Sequence, residues 1–209
     1  GKPIVSVLIA TKPLCIPEID HSSNAVLTFF NGGMFGGRAL AKVIFGELNP
    51  SGKLPISFPY HVGQQPVYYN QLPGWHASSY VDMPSKPLYP FGKGLSYTSF
   101  AYSQLQFDGK KLKLKVTVTN TGARDGKEVV QIYFRDIVSS VITPVKRLIS
   151  FRKIALAAGE SKTLEFDFTR NDFSFVNARE ERVTEAGTFE IMAGGSSDDI
   201  DLLKTTFIL

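Results

Sequence analysis

The sequence predicts an α/β layer followed by an all-β sandwich. Three observations support this prediction: short apolar runs with a glycine-led helix near the N-terminus, a proline-rich middle, and an apolar–polar alternation beyond Phe100. A hydrophobic period near 3.6 is typical of helices and a period of 2 of half-buried strands, so the change of period marks a change of architecture. We place the α/β part at 1–60, an ordered connecting loop at 61–99 and the sandwich at 100–209.

The α/β part has two apolar runs of strand length, at residues 4–9 and 25–30, with a loop containing Lys12-Pro13 and Pro17 between them. A helix is predicted over residues 38–45, with Gly46 at the left-handed position that ends many helices. A parallel strand of the buried type needs neighbours on both edges and helices on both faces. We therefore expect this chain to be a C-terminal fragment whose first part is completed by upstream polypeptide.

The connecting segment, residues 49–97, begins before the connecting loop and includes most of it. It contains eight prolines. It is too rich in proline for regular structure and too rich in aromatic residues for disorder. The composition predicts an ordered loop that lies over neighbouring surfaces.

Beyond Phe100, apolar residues alternate with polar ones in about seven short strands, with a turn at Asn120-Thr121-Gly122. The inward rows are Leu112, Leu114, Val116 and Val118; Val130, Ile132 and Phe134; Leu164, Phe166 and Phe168; and Phe189, Ile191 and Ala193. Such spacing over about one hundred residues is typical of an immunoglobulin-like sandwich. Because this part has no cysteine, a fibronectin type III-like module is favoured.

Composition limits the partners. No run of eighteen apolar residues predicts a membrane span, and 43% apolar residues suffice for real cores. The charge of +4 comes from scattered lysines such as Lys113 and Lys115, without a basic helix, so no nucleic-acid partner is expected. The single cysteine, Cys15, excludes an intrachain disulfide and leaves cytoplasmic, periplasmic and secreted locations open.

Short motifs in a fixed order carry a family resemblance through the whole chain. They are Gly36-Gly37-Arg38-Ala39-Leu40, Asn49-Pro50-Ser51-Gly52-Lys53-Leu54-Pro55, Tyr89-Pro90-Phe91-Gly92-Lys93-Gly94, Asp125-Gly126-Lys127-Glu128 and Pro144-Val145-Lys146-Arg147-Leu148. Together they resemble the C-terminal portion of glycoside hydrolase family 3 enzymes, bacterial β-glucosidases above all. The resemblance implies the end of an α/β sandwich second domain and a fibronectin type III-like third domain.

Two positions depart from the pattern of that family. Its members usually have a glycine-arginine pair where Thr11-Lys12 stands, and commonly a glutamate where this chain has Phe35. If either position shapes the substrate pocket, specificity differs here from the common β-glucosidase pattern.

The resemblance implies a retaining β-glucosidase that hydrolyses terminal non-reducing β-D-glucosyl residues. Retention needs two carboxyl groups about 5–5.5 Å apart. In the family, both precede the strand that matches residues 4–9, in the upstream barrel and α/β domain. The resemblance therefore implies that no catalytic residue lies in this chain, that the isolated chain is inactive, and that no cofactor is needed.

Apart from the resemblance, the acidic residues of the α/β part are weak candidates for catalytic groups. Glu18 and Asp20 follow an apolar strand, whose carboxyl end is where α/β folds bind ligands, but a solvated loop is favoured for them. Glu47 reads as a surface charge near the end of a helix.

Other chemistries have weaker signals. The histidines, His21, His61 and His76, have no metal-ligand spacing, so no metal is expected. Cys15 between Leu14 and Ile16 is interpreted as a buried small residue. The glycines at 32–37 lack the lysine and threonine of a nucleotide loop and predict a tight turn with close packing.

Substrate contact is expected from the connecting loop, through Trp75, Tyr80 and Asp82. Aromatic faces pack well on the C–H faces of sugar rings, and Asp82 could accept a sugar hydroxyl. Ordinary interdomain packing is the alternative for Trp75 and Tyr80, and a hydrogen bond within the loop is the alternative for Asp82. A long loop stiffened by proline can also reach a neighbouring subunit, so a homodimer is an alternative arrangement.

The alternative function is that of a non-catalytic carbohydrate-binding or adhesion module. Such a module should carry an exposed row of aromatic side chains on a sandwich strand. Phe134, Phe166, Phe168 and Phe189 instead stand at inward positions, which favours the enzyme.

Overall fold

The computed structural model describes residues 1–74 and 80–209. Its N-terminal part contains strand β1 (Val5–Leu8), helix α1 (Pro17–Ser22), strand β2 (Ala25–Thr28) and helix α2 (Gly36–Ile44). β1 and β2 are parallel and in register, so Leu8 lies opposite Thr28. The two strands therefore end at the same edge of the sheet.

The predicted α/β elements are present with small shifts of their ends, and one prediction was wrong. The segment around Glu18 and Asp20, expected to be a loop, forms α1, with Pro17 in its first turn. Proline is pre-shaped for that position, but six residues are too few for a hydrophobic period to show in the sequence. Gly46 has φ of +76°, the left-handed conformation expected after α2.

Strand β1 is apolar but only partly covered. Among the described residues it pairs with β2 alone, and Ile4, Val5 and Ile9 keep 52%, 45% and 71% of their surface exposed. A strand of the buried type is thus left open by the residues that the structure describes.

The C-terminal part is a sandwich of two antiparallel sheets. Its strands are β3 (Phe100–Asp108), β4 (Lys113–Asn120), β5 (Gly126–Asp136), β6 (Arg147–Leu156), β7 (Ser161–Asp167), β10 (Thr188–Gly194) and β11 (Leu202–Ile208). One sheet has the order β11-β10-β5-β6 and the other the order β3-β4-β7. Strands β8 (Phe175–Val176) and β9 (Arg182–Val183) pair as a small antiparallel hairpin. The all-β prediction and its seven main strands are confirmed.

The inward rows expected from the alternation form the core between the sheets. Leu114, Val116, Val118, Val130, Ile132, Ile191 and Ala193 are fully buried, with Phe134, Leu164, Phe166 and Phe189 nearly so. On the opposite face of β4, Lys113 and Lys115 form cross-strand ion pairs with Asp167 and Glu165. The alternation therefore separated core from solvent correctly.

Asn120 explains the turn that closes β4. Its side chain is fully buried and makes four hydrogen bonds: it accepts from Thr98 and Gly122, and it donates to the carbonyls of Arg124 and Leu156. A buried amide is tolerated when all its groups are paired. The predicted turn is thus fixed from inside the sandwich.

A cluster of aromatic rings centres on Phe173, which the strand pattern did not indicate. Phe173 ends a 3-10 turn (Arg170–Phe173), is 1% exposed, and packs with ring centroids 5.3–6.1 Å from five phenylalanines. These are Phe107, Phe134, Phe168, Phe189 and Phe207. The ring contacts both sheets and closes one end of the core.

We expect Phe173→Ala to lower the free energy of unfolding of the chain by about 3–5 kcal/mol, because it leaves a cavity among these rings. Phe151→Ala, at a position 67% exposed, is the matched control and should cost less than about 1 kcal/mol. Urea unfolding of both variants measures the difference. Similar losses at the two positions would contradict the central role of Phe173.

Candidate functional site

The carboxyl edge of the β1–β2 sheet is the first candidate surface, since α/β folds bind ligands there. Thr11 and Lys12 follow β1 and are exposed. Met34 and Phe35 follow β2 and are 92% and 72% exposed. Both positions that depart from the family pattern therefore lie in exposed segments that follow the strands ending at this edge.

Of the glycines at 32–37, Gly32 and Gly36 are closely packed, and Gly33 and Gly37 have open space around them. A Cβ atom on Gly32 would lie 2.0 Å from the ring of Phe29, and one on Gly36 would lie 2.8 Å from it. No larger residue fits at Gly32 without moving that ring. The expected tight turn is confirmed.

The acidic residues of this part do not form a catalytic pair. Glu18 is exposed on α1, and Glu47 forms an exposed ion pair with Lys42 at 3.7 Å. Asp20 accepts a hydrogen bond from the Tyr89 hydroxyl. Burial, together with the charge of Asp20, raises the pKa of Tyr89. Asp20 thus fastens α1 to the connecting segment.

The predicted substrate-binding residues differ in exposure and in hydrogen bonding. Tyr80 is partly buried, and its hydroxyl donates to the carbonyl of Gly63 at 3.4 Å. Asp82 is exposed. Trp75 lies outside the described residues. Tyr80 therefore contacts the turn at Val62–Gln64, and Asp82 follows two residues later in the chain.

The connecting segment is held to the sandwich by a buried ion pair that the sequence did not reveal. The Lys53 ammonium lies 3.1 Å from Oε1 of Glu128, and their side chains are 14% and 5% exposed. The Tyr102 hydroxyl donates to the same oxygen at 2.8 Å, and Lys53 also donates to the carbonyl of Gly94. Burial, then the Glu128 carboxylate, strongly raises the pKa of Tyr102.

Two more lysines bind the loop between β10 and β11. Lys93 pairs with Asp201 at 2.9 Å, and Lys146 pairs with Asp199 at 2.9 Å. Burial raises the pKa of both aspartates, but hydrogen bonds and the lysine charges outweigh it and leave both values lowered. These carboxylates are held ionised as structural partners.

Gln131 completes this junction. Its amide donates to the carbonyls of Gly92 and Gly195 and accepts from the Tyr133 hydroxyl. A Cβ atom on Gly92, whose φ is +78°, would lie 2.1 Å from the Gln131 amide oxygen, so only glycine fits. The motif Tyr89-Pro90-Phe91-Gly92-Lys93-Gly94 is thus explained by its contacts with the sandwich.

Residues 1–74 and 80–209 contain neither a cluster of metal-ligating side chains nor a membrane-spanning helix. No three His, Cys, Asp or Glu side chains among residues 1–74 and 80–209 gather as a metal site requires. Within the same residues, no helix has the length and hydropathy needed to cross a lipid bilayer. Cys15, expected to be buried, is partly exposed, and burial raises the pKa of its thiol.

Comparison with known families agrees with this architecture. Residues 1–97 match the glycosyl hydrolase family 3 C-terminal domain, and residues 128–197 match the fibronectin type III-like domain. The chain belongs to glycoside hydrolase family 3. The resemblance to family 3 and the predicted fold class are confirmed.

Curated relatives of this family 3 chain are glycosidases. It is 43% identical to a periplasmic beta-glucosidase of Salmonella typhimurium, over 94% of this chain and 28% of the relative. It is 42% identical to a beta-xylosidase of Formosa agariphila, over 99% of this chain and 30% of that protein. The chain thus spans less than a third of these relatives.

Solved structures give the same result. The beta-glucosidase from Listeria innocua in complex with glucose superposes with a TM-score of 0.92 at 39% identity, covering 100% of this chain and 31% of that one. A beta-glucosidase from intestinal bacteria, described as involved in saponin metabolism, superposes with a TM-score of 0.94 at 39% identity and the same coverage.

We expect Glu128→Ala to lower the free energy of unfolding by about 3–5 kcal/mol, because it leaves the Lys53 charge buried without its partner. The control is Glu165→Ala, which breaks the exposed pair with Lys115 and should cost about 0–1 kcal/mol. Denaturant unfolding of the two variants gives the comparison. Equal effects would show that the buried pair does not stabilise the junction.

Proposed function

We propose that this chain works as the C-terminal part of a retaining β-glucosidase that removes terminal non-reducing β-D-glucosyl residues. The chain supplies one wall of the substrate cleft and supports the catalytic domains. The two reacting carboxylates come from an upstream barrel and from the preceding part of the α/β domain. Three features support this: family membership, relatives more than three times longer, and the β-glucosidase activity for which those relatives are named.

The contacts of the acidic residues support the proposal that the catalytic carboxylates lie upstream of this chain. Residues 1–60 contain three acids, and each is accounted for: Glu18 on an exposed helix face, Asp20 on the Tyr89 hydroxyl, and Glu47 on Lys42. Retaining hydrolysis needs two carboxyls facing each other across the glycosidic bond. None of these three has such a partner at the carboxyl edge of the described sheet.

The open face of β1 supports the partnership with upstream domains. Val5 on β1 is 45% exposed, and Ile4 and Ile9 on either side of it are 52% and 71% exposed, although the apolar run is that of a buried strand. Covering this surface with further strands and helices would complete the α/β layer. We also propose the division at 60 and 99, because the helices and strands of the layer end before residue 60 and the first strand of the sandwich begins at Phe100.

Substrate contact is proposed for Trp75, Tyr80 and Asp82, in the enzyme itself or across a homodimer. Tyr80 and Asp82 share one segment of the connecting loop, and Asp82 is free to accept a sugar hydroxyl because its side chain is exposed. A β-glucoside or a short oligosaccharide is the proposed substrate. The non-catalytic module is not favoured, since the sandwich phenylalanines are inward.

The proposed activity predicts that the complete enzyme hydrolyses 4-nitrophenyl β-D-glucoside and that the chain 1–209 alone does not. The reason is that the reacting carboxylates are absent from the chain. Release of 4-nitrophenol measures both. The matched 4-nitrophenyl β-D-xyloside tests which sugar the enzyme removes. A larger kcat/KM on the xyloside than on the glucoside would show that the enzyme is a xylosidase and not a glucosidase. Hydrolysis by the isolated chain would overturn the assignment of roles.

In the complete enzyme, Asp82→Ala is expected to raise KM for cellobiose about tenfold, through loss of one hydrogen bond to a sugar hydroxyl. Trp75→Ala should raise KM through loss of a stacking surface. Asp167→Ala, on the far face of the sandwich, is the control and should leave KM unchanged. Steady-state kinetics decide, and an unchanged KM in both loop variants would remove the loop from the substrate site.

A further inference from the structure

Gln64 is a buried side chain that joins two stretches of the connecting segment. It is 2% exposed. Its amide oxygen accepts from the backbone N–H of Tyr60 at 2.6 Å and of His61 at 3.4 Å. Its amide nitrogen donates to the carbonyls of Pro84 at 2.6 Å and Lys86 at 3.2 Å. The amide thus uses both of its N–H donors and both lone pairs of its oxygen.

The turn that carries Gln64 also holds the start of segment 80–86. Gly63, the preceding residue, accepts the hydrogen bond from the Tyr80 hydroxyl. The turn at Val62–Gln64 therefore contacts the segment at Tyr80, Pro84 and Lys86. Asp82 lies between these points and is exposed. Two anchors on either side of an exposed carboxylate limit where that carboxylate can stand.

The chemistry of the anchor suggests positional control. An apolar side chain at position 64 would bury as much surface, but would leave two backbone N–H groups and two carbonyls without their partner. Buried polar networks that are fully satisfied rigidify the structure and specify a single arrangement. Gln64 thus fixes the distance of segment 80–86 from the turn, whatever it adds to folding.

We propose that Gln64 is a positioning residue for substrate binding: it holds segment 80–86 so that Tyr80 and Asp82 meet the sugar in a fixed orientation. This inference rests on the proposed β-glucosidase function. Gln64 itself touches no substrate. It acts through the backbone carbonyls of Pro84 and Lys86, and its loss should therefore weaken substrate binding without altering the reacting groups.

The test uses Gln64→Leu and Gln64→Glu in the complete enzyme with cellobiose. KM is expected to rise about tenfold in both variants at pH 7, while kcat changes by less than about twofold. Gln64→Glu keeps the acceptor but places a carboxylate against two carbonyls. At lower pH the new carboxyl is protonated and can donate to Pro84, so its KM relative to wild type should recover. Gln64→Leu should show no such recovery.

Gln131 provides the matched control. It is also a buried glutamine, 3% exposed, and its amide donates to two carbonyls, those of Gly92 and Gly195. It holds the junction with the sandwich and has no bond to segment 80–86. Gln131→Leu is expected to lower Tm at least as much as Gln64→Leu, with KM unchanged. A purely structural role for Gln64 would make the two variants alike.

Hydrogen exchange separates this inference from the proposed function. Gln64→Glu should speed exchange of the backbone amides at 80–86 at pH 7, compared with wild type, whether or not the enzyme acts on glucosides. Unchanged exchange, or KM values that rise equally for Gln64→Leu and Gln131→Leu, would overturn the positioning role and leave the β-glucosidase function standing. A wild-type enzyme inactive on β-glucosides would instead remove the proposed function, and with it the substrate role of Gln64.

Discussion

The buried ion pair of Lys53 and Glu128 is the interaction on which the arrangement of this chain depends. Two charges withdrawn from water are costly unless each meets its partner and further hydrogen bonds, and here Tyr102 and the carbonyl of Gly94 complete the set. Because a misplaced connector would leave both charges unpaired, the pair permits one seating of the connecting segment on the sandwich. Lys93 reinforces this seating through Asp201 in the loop between β10 and β11, and Lys146 holds the same loop from within the sandwich.

That seating gives physical meaning to the motifs by which the family is recognised. Lys53 belongs to the first proline-glycine motif, Gly92 and Lys93 to the second, and Glu128 to the start of β5. Each is fixed by a contact across the junction and not by catalysis. Asp20 adds a link from α1 to Tyr89. The connecting segment therefore joins the α/β layer to the sandwich. Within it, Gln64 holds residues 80–86 against the turn at Val62–Gln64.

Prediction from sequence succeeded where the signal is local. The alternation along β4 and β5 identified the buried rows correctly, since side chains of a strand point alternately to opposite faces. It failed at α1 and at the 3-10 turn of Phe173, which are too short to show a period. Of the proposed substrate residues, Tyr80 and Asp82 are placed in one segment, and their contact with a sugar stays a proposal.

By itself, the sequence determined the two architectures, their order, the family and the core rows of the sandwich, because periodicity and motifs are properties of neighbouring residues. Only the tertiary structure decided which acid meets which lysine, that Asp20 bonds Tyr89, and that Gln64 reaches Pro84 and Lys86. These partners lie far apart along the chain, and charge or polarity in a sequence does not say what stands opposite. Their pairing follows from how the sheets and loops bring backbones together, which no local pattern records.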